Sequence, residues 1–180
     1  MLKTRRSRWL AAVVAAIAIG GLVAVLLVTR PWLAFIDVTV NETLPAVETP
    51  AAVTPGETAP PPPTEPTEIA TGEFISHEHE TTGTVRIVEN ADGTRLLAIE
   101  NLSTTNGPDV NVWLSASDVV AGPEGWFIAG GQPFVDLGSI KGNLGNQVYE
   151  IPAGVDLEVY RSVALWCVQF GVSFGAAQLV

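Results

Sequence analysis

Cysteine is nearly missing from this chain, with Cys167 the single one among 180 residues. One thiol cannot form an internal disulfide, so the fold must rest on its core alone. Covalent c-type haem, which needs Cys-x-x-Cys-His, is excluded. Histidine is almost as scarce, only His77 and His79, and the one methionine is Met1, so a blue-copper set of two His, one Cys and an axial Met is incomplete. The chain also lacks a phosphate-binding glycine loop, a Gly-x-Ser-x-Gly elbow and a His-Glu-x-x-His pair. Basic residues are few beyond the N-terminus: residues 69–180 carry four against thirteen acidic ones. A surface of that sign repels phosphate backbones, which argues against nucleic acid as a partner.

What is present is one long apolar run. Trp9 to Val28 is 20 residues without a charge, about 30 Å as a helix, the thickness of a bilayer core. Lys3, Arg5, Arg6 and Arg8 precede it and Arg30 follows, so the positive-inside rule predicts a single-pass plasma-membrane protein, N-terminus cytoplasmic and C-terminal domain extracytoplasmic. A cleaved signal peptide would have a shorter apolar region and a small-residue site after it. The absence of a Cys just after the run closes the lipoprotein route.

The expected organisation is a basic cytoplasmic tail over residues 1–8, a transmembrane helix over 9–28, a Pro/Thr/Glu-rich disordered linker over 29–68 and a folded domain over 69–180. Eight prolines between Asn41 and Glu68, including Pro60 to Pro63, favour extended chain. Such a stalk would hold the domain tens of ångströms off the bilayer.

After the linker, apolar residues alternate with polar ones in short runs bounded by Gly, Asn, Asp and Pro, which predicts half-buried strands. Val85 and Ile87, then Asn90-Ala91-Asp92-Gly93, then Arg95 to Leu102 read as a hairpin. Val110, Val112 and Leu114 predict a third strand, and Phe134 to Leu137 and Gln147 to Ile151 two more. Val155, Leu157 and Val159 predict another, with Asp156 and Glu158 on its wet face. The fold class is all-β, an antiparallel β-sandwich. In a last strand running from Ala164 to Phe174 the even positions are large and apolar and should face the core. Cys167 then falls on the other, partly covered face, where its thiol is reachable.

Cys167 has four readings at this point: a small buried hydrophobe, a redox-active thiol, an axial ligand to a cofactor, or half of an intermolecular disulfide. His77 and His79, two apart in extended chain, share a face and would offer a metal two nitrogens, too few to specify a site. They read more simply as a solvated segment.

Four ordered blocks carry a family resemblance. They are His79-x-x-x-Gly83; Thr105-Asn106-Gly107-Pro108-Asp109 followed by Val112-Trp113-Leu114-Ser115; Leu137 to Gln147 continuing through Tyr149 to Pro152; and Val163-x-x-Trp166-Cys167-x-x-Phe170 ending at Phe174-Gly175-x-Ala177. Over roughly Gly72 to Leu179 the chain resembles the DM13 domain family. That resemblance implies an all-β extracytoplasmic domain proposed to act in electron transfer, with Cys167 as a bare redox thiol or a haem ligand, His79 beside it, and Asp109, Trp166, Gln147 and Tyr149 as motif residues. The cofactor is left open, haem being the one the ligand alternative implies and the bare thiol needing none, and the membrane and a redox partner are the implied associations. One departure is the segment Gly122 to Pro133, longer than the usual link and suited to cover a face or present a contact surface. The competing expectation is a non-catalytic surface-binding or adhesion module in which Cys167 is only packed.

Overall fold

The computed structural model describes residues 5–47 and 65–180; the centre of the proline-rich run, 48–64, lies outside the described residues. Helix α1 (Arg5–Thr29) contains the apolar run, and within it Ser7–Thr29 is long and apolar enough to cross a membrane.

The remaining elements are strands β1 (Thr39–Asn41), β2 (Thr67–Ser76), β3 (Thr82–Glu89), β4 (Arg95–Ser103), β5 (Val110–Ser115), β6 (Phe134–Ser139), β7 (Leu144–Ile151), β8 (Ser162–Cys167) and β9 (Val172–Gln178). They do not form the two separate sheets of a sandwich. One nine-stranded sheet runs β1-β7-β4-β3-β2-β9-β8-β5-β6. Its continuity comes from β2, whose first part pairs with β3 and whose end, Phe74 to Ser76, pairs with β9. The sheet curls, so that side chains from both halves, among them Ile87, Leu97, Leu114, Leu165 and Phe174, share one core. Nor is every pair antiparallel: β1 lies parallel to β7, with Thr39 opposite Leu144.

The expected linker over 29–68 is structured at both described ends. Pro31–Phe35 forms a 3₁₀ turn directly after α1. Thr39–Asn41 then joins the sheet as β1, and Thr67 opens β2. The reasons are tertiary. Asn143, fully buried, accepts the Val38 amide at 2.7 Å and donates to the Asp37 carboxylate at 2.9 Å and the Thr104 carbonyl at 2.8 Å. Glu42 takes the Lys141 ammonium on both oxygens, at 2.8 and 2.7 Å, and the Val148 amide at 2.7 Å. The Lys141 hydrogen bond is the main reason the Glu42 carboxyl sits below its ordinary range. Both chain segments flanking the proline-rich run are therefore strands of the same sheet.

Two further expectations are corrected. Residues 152–160 make turns instead of a strand, because the Asp156 carboxylate accepts the Glu158 amide at 2.9 Å while its carbonyl takes the amides of Val159 and Tyr160. The long final strand is two strands, broken where Gly171 adopts φ 64° and its amide returns to the Cys167 carbonyl at 2.8 Å. With this turn the parity also reverses. Val163, Leu165 and Cys167 face the main core, whereas Ala164 and Trp166 face a second cluster with Trp113, Ala129 and Ala176. The segment Gly122 to Pro133 covers that outer face: a Cβ on Gly130 would lie 2.4 Å from Trp166 Cζ2, so the backbone itself rests on the indole.

Candidate functional site

The end of the sheet nearest α1 collects residues that are far apart in sequence. Cys167 closes β8, opposite Val110 and Val172. The turn after it, Val168 to Gly171, touches the helix: Gln169 Nε2 donates to the Val28 carbonyl at 2.9 Å, in the last turn of α1. The Val168 amide donates to the Asp109 carbonyl at 2.9 Å, tying the motif loop Asn106 to Asp109 to the cysteine turn. His79 belongs to the same end. Its amide donates to the Phe174 carbonyl, its ring lies 3.8 Å from the Phe174 ring, and its Nε2 pairs with the Glu78 carboxylate. Gly107 packs against the Phe174 ring, where a Cβ would come within 2.9 Å of Cζ.

The thiol itself is not reachable. Cys167 is 0% exposed and free. Burial pushes its pKa up, the nearby Asp109 carboxylate adds to that, and backbone amides of Phe170, Gln169 and Asp109 oppose it. At neutral pH it is a protonated thiol, so it is no surface nucleophile.

A cavity of about 460 Å³ lies beside it, between the 3₁₀ turn Pro31–Phe35 and the domain. Its walls include Leu33 and Phe35 from the turn and Phe170 and Phe174 from the domain, with Arg30, Glu78, His79 and Asn106 among its polar members. Cys167 does not line it. A haem ligated by this cysteine therefore does not fit the packing, because Cys167 sits within the main core. His79 lines the cavity and is the imidazole placed to meet a guest there. Among the described residues no cluster of three or more His, Cys, Asp or Glu could hold a metal. His77 does not join His79. It points elsewhere, Nδ1 to Ser173 Oγ at 2.9 Å and Nε2 to the Val120 carbonyl at 3.1 Å, and burial lowers its pKa.

The other motif residues serve different places. Trp166 stacks with Trp113 at 5.1 Å between ring centroids, and Trp113 with Phe134 at 3.7 Å, on the outer face of the sheet. Gln147 and Tyr149 hold the loop between β6 and β7: Tyr149 Oη donates to Gln147 Oε1 at 2.8 Å, and the Lys141 amide reaches both side chains. Burial is the main cause of the raised pKa of the Tyr149 phenol. Arg30, Leu33 and Phe35 were missed from the sequence as site residues. Their signal was the aromatic pair Trp32 and Phe35 just past the apolar helix, typical of a membrane–water boundary.

No curated protein and no solved structure matches the chain. A family model described as electron transfer DM13 matches residues 73–179, more than half of the chain and nearly all of the sheet. Its span holds His79, Asp109, Gln147, Tyr149, Trp166 and Cys167, with Cys167, the Asp109 loop and His79 at one end of the fold, and the chain accordingly belongs to the DM13 family of electron-transfer domains.

Proposed function

We propose that this protein is held in the cell membrane by α1, N-terminus cytoplasmic, and that its DM13 domain rests against the outer membrane surface and acts in electron transfer there, the buried Cys167 thiol giving one electron to a membrane-bound redox partner and its proton to the nearby Asp109 carboxylate, and taking both back on return. The excess of Lys and Arg before the helix supports the orientation. The observation that carries the reading is the bond from Gln169, two residues beyond Cys167, to Val28 at the helix end. It brings the cysteine end of the domain to the helix exit, so a membrane-bound redox partner is the natural one. Exposed Phe35, Val168 and Phe170 add an apolar surface at the same level.

Voltammetry of the full chain in a bilayer supported on an electrode tests this. A redox wave lost in Cys167→Ala, with the fold kept by circular dichroism, is the expected result. No wave, or the same wave in both, removes Cys167 from the redox role. Full burial of Cys167 favours a second reading, a binding module in which the thiol only packs and the exposed Phe127 of the Gly122 to Pro133 segment contacts a surface ligand. That reading predicts a partner whose capture is lost in Phe127→Ser and kept in Cys167→Ala.

A further inference from the structure

The cavity beside His79 has a volume within the range of small-molecule sites and a lining that electron exchange through Cys167 alone does not require. One wall, Leu33 to Phe35, follows the end of α1 within six residues, and the opposite wall includes Phe170 from the turn bonded to Val28. Phe35 is 90% exposed and Phe170 54%, so the approach to the cavity is apolar and continuous with the exposed side chains of α1. With α1 in the bilayer as proposed above, a guest dissolved there would meet this apolar approach first.

Two of the polar members, Arg30 and His79, decide what kind of guest. Arg30 brings a guanidinium that has no hydrogen-bond or ion-pair acceptor among the described residues, and His79 brings an imidazole held by Glu78. A lipid acyl chain would use neither group. A phosphate headgroup would meet the Glu78 carboxylate and the anionic domain behind it. A flat apolar ring with uncharged oxygens at its edge uses both: the walls cover its faces, and the guanidinium and imidazole complement its carbonyl oxygens.

We propose that this cavity binds the ring of a lipophilic quinone dissolved in the membrane, with Arg30 and His79 as partners for its oxygens. The assignment rests on the membrane-surface electron-transfer reading above, since a quinone is an electron carrier of the phase beside which the cavity lies.

The test is photoaffinity labelling of the full chain in phosphatidylcholine nanodiscs with an arylazido benzoquinone carrying a ten-carbon tail, mapped by peptide mass spectrometry. Label should concentrate in residues 30–35 and 168–174. Excess decyl-benzoquinone should displace it at least tenfold better than decylbenzene, which has the same tail and no oxygens. Arg30→Ala should lower labelling about tenfold, and so should Ala34→Phe, which fills the cavity. Label spread along α1, or displaced equally by decylbenzene, would show a lipid-filled space and overturn the proposal. So would undiminished labelling in both variants. Labelling reads binding alone: if it behaves as expected while Cys167→Ala keeps its redox wave, the cysteine role fails and the quinone site stands.

Discussion

Asn143→Ala should loosen the joint between α1 and the domain. Asn143 is fully buried, and its side chain makes three hydrogen bonds that tie the segment leaving α1 to the end of β4: from the Val38 amide and to the Asp37 carboxylate on that segment, and to the Thr104 carbonyl just past β4. A neutral hydrogen bond contributes about 1 kcal/mol net and one to a charged group about 2, which sums to roughly 4 kcal/mol for the set. Val38 and Asp37 are partly exposed and recover some of this from water, whereas the buried Thr104 loses a partner it cannot replace. A destabilisation of about 3 kcal/mol is therefore expected, large against the stability of a domain of this size. Urea unfolding of the full chain in nanodiscs measures it. Hydrogen exchange should show where it acts, with protection lost first at Val38 and along β1 and kept in the β3–β4 hairpin. A loss under about 1 kcal/mol with the Val38 amide still protected would refute the argument, because the segment would then be held by something other than Asn143.

Three more outcomes follow from the same geometry. Native Cys167 should resist a maleimide reagent that modifies it at once in denaturant; its pKa is raised by burial, so the stabilising contribution of the protonated thiol is complete below about pH 8.5 and is lost as pH rises above that, an alkaline loss reduced in Cys167→Ala. His77 has the opposite sign: burial lowers its pKa, so its contribution is present above about pH 6.5 and is lost as pH falls below it, and His77→Gln should flatten the acid limb of a stability–pH curve. Gly130→Val should push on Trp166, whose ring lies where the new Cβ would sit, costing about 1–3 kcal/mol and weakening the near-ultraviolet circular dichroism of the Trp113–Trp166 stack.

Parts of this structure were legible in the sequence for local reasons. The β3–β4 hairpin announces itself because alternation of period two and the Asn90 to Gly93 turn are both local, and Asp92 Oδ1 indeed accepts the Thr94 amide at 2.9 Å. The β8–β9 break was hidden because apolar residues continue at even positions through Val168 and Phe170, which the structure exposes in a turn. That error carried the parity of Cys167 with it and made a buried thiol look reachable. Strand β2 was masked by its Thr and Glu content, which continues that of the proline-rich run. Two of its glutamates tell the same story in reverse: Glu68 pairs with Arg86 on the neighbouring strand, and Glu73 lies in register with Thr84. Strand β1 could not be seen locally at all, since three edge residues are held by Asn143 and by the Glu42–Lys141 pair, about a hundred positions away. Of the site, His79, Asp109 and Cys167 were legible through the family motifs. The cavity was not, because one of its walls comes from the segment that reads as linker.

The claim that binds these observations is that the end of the domain bearing Cys167 and His79 faces the membrane. A nitroxide on Val168→Cys, in a Cys167→Ala background, reports its depth by electron paramagnetic resonance in nanodiscs, with Asp92→Cys in the opposite turn as the reference. Strand β4, nine residues long, separates the two ends by up to roughly 30 Å. The account predicts that the label at 168 lies at headgroup level, quenched by lipid-soluble oxygen more than by a water-soluble nickel complex, while the label at 92 shows the reverse. Two labels equally accessible to the nickel complex would put the domain out in solvent and contradict it.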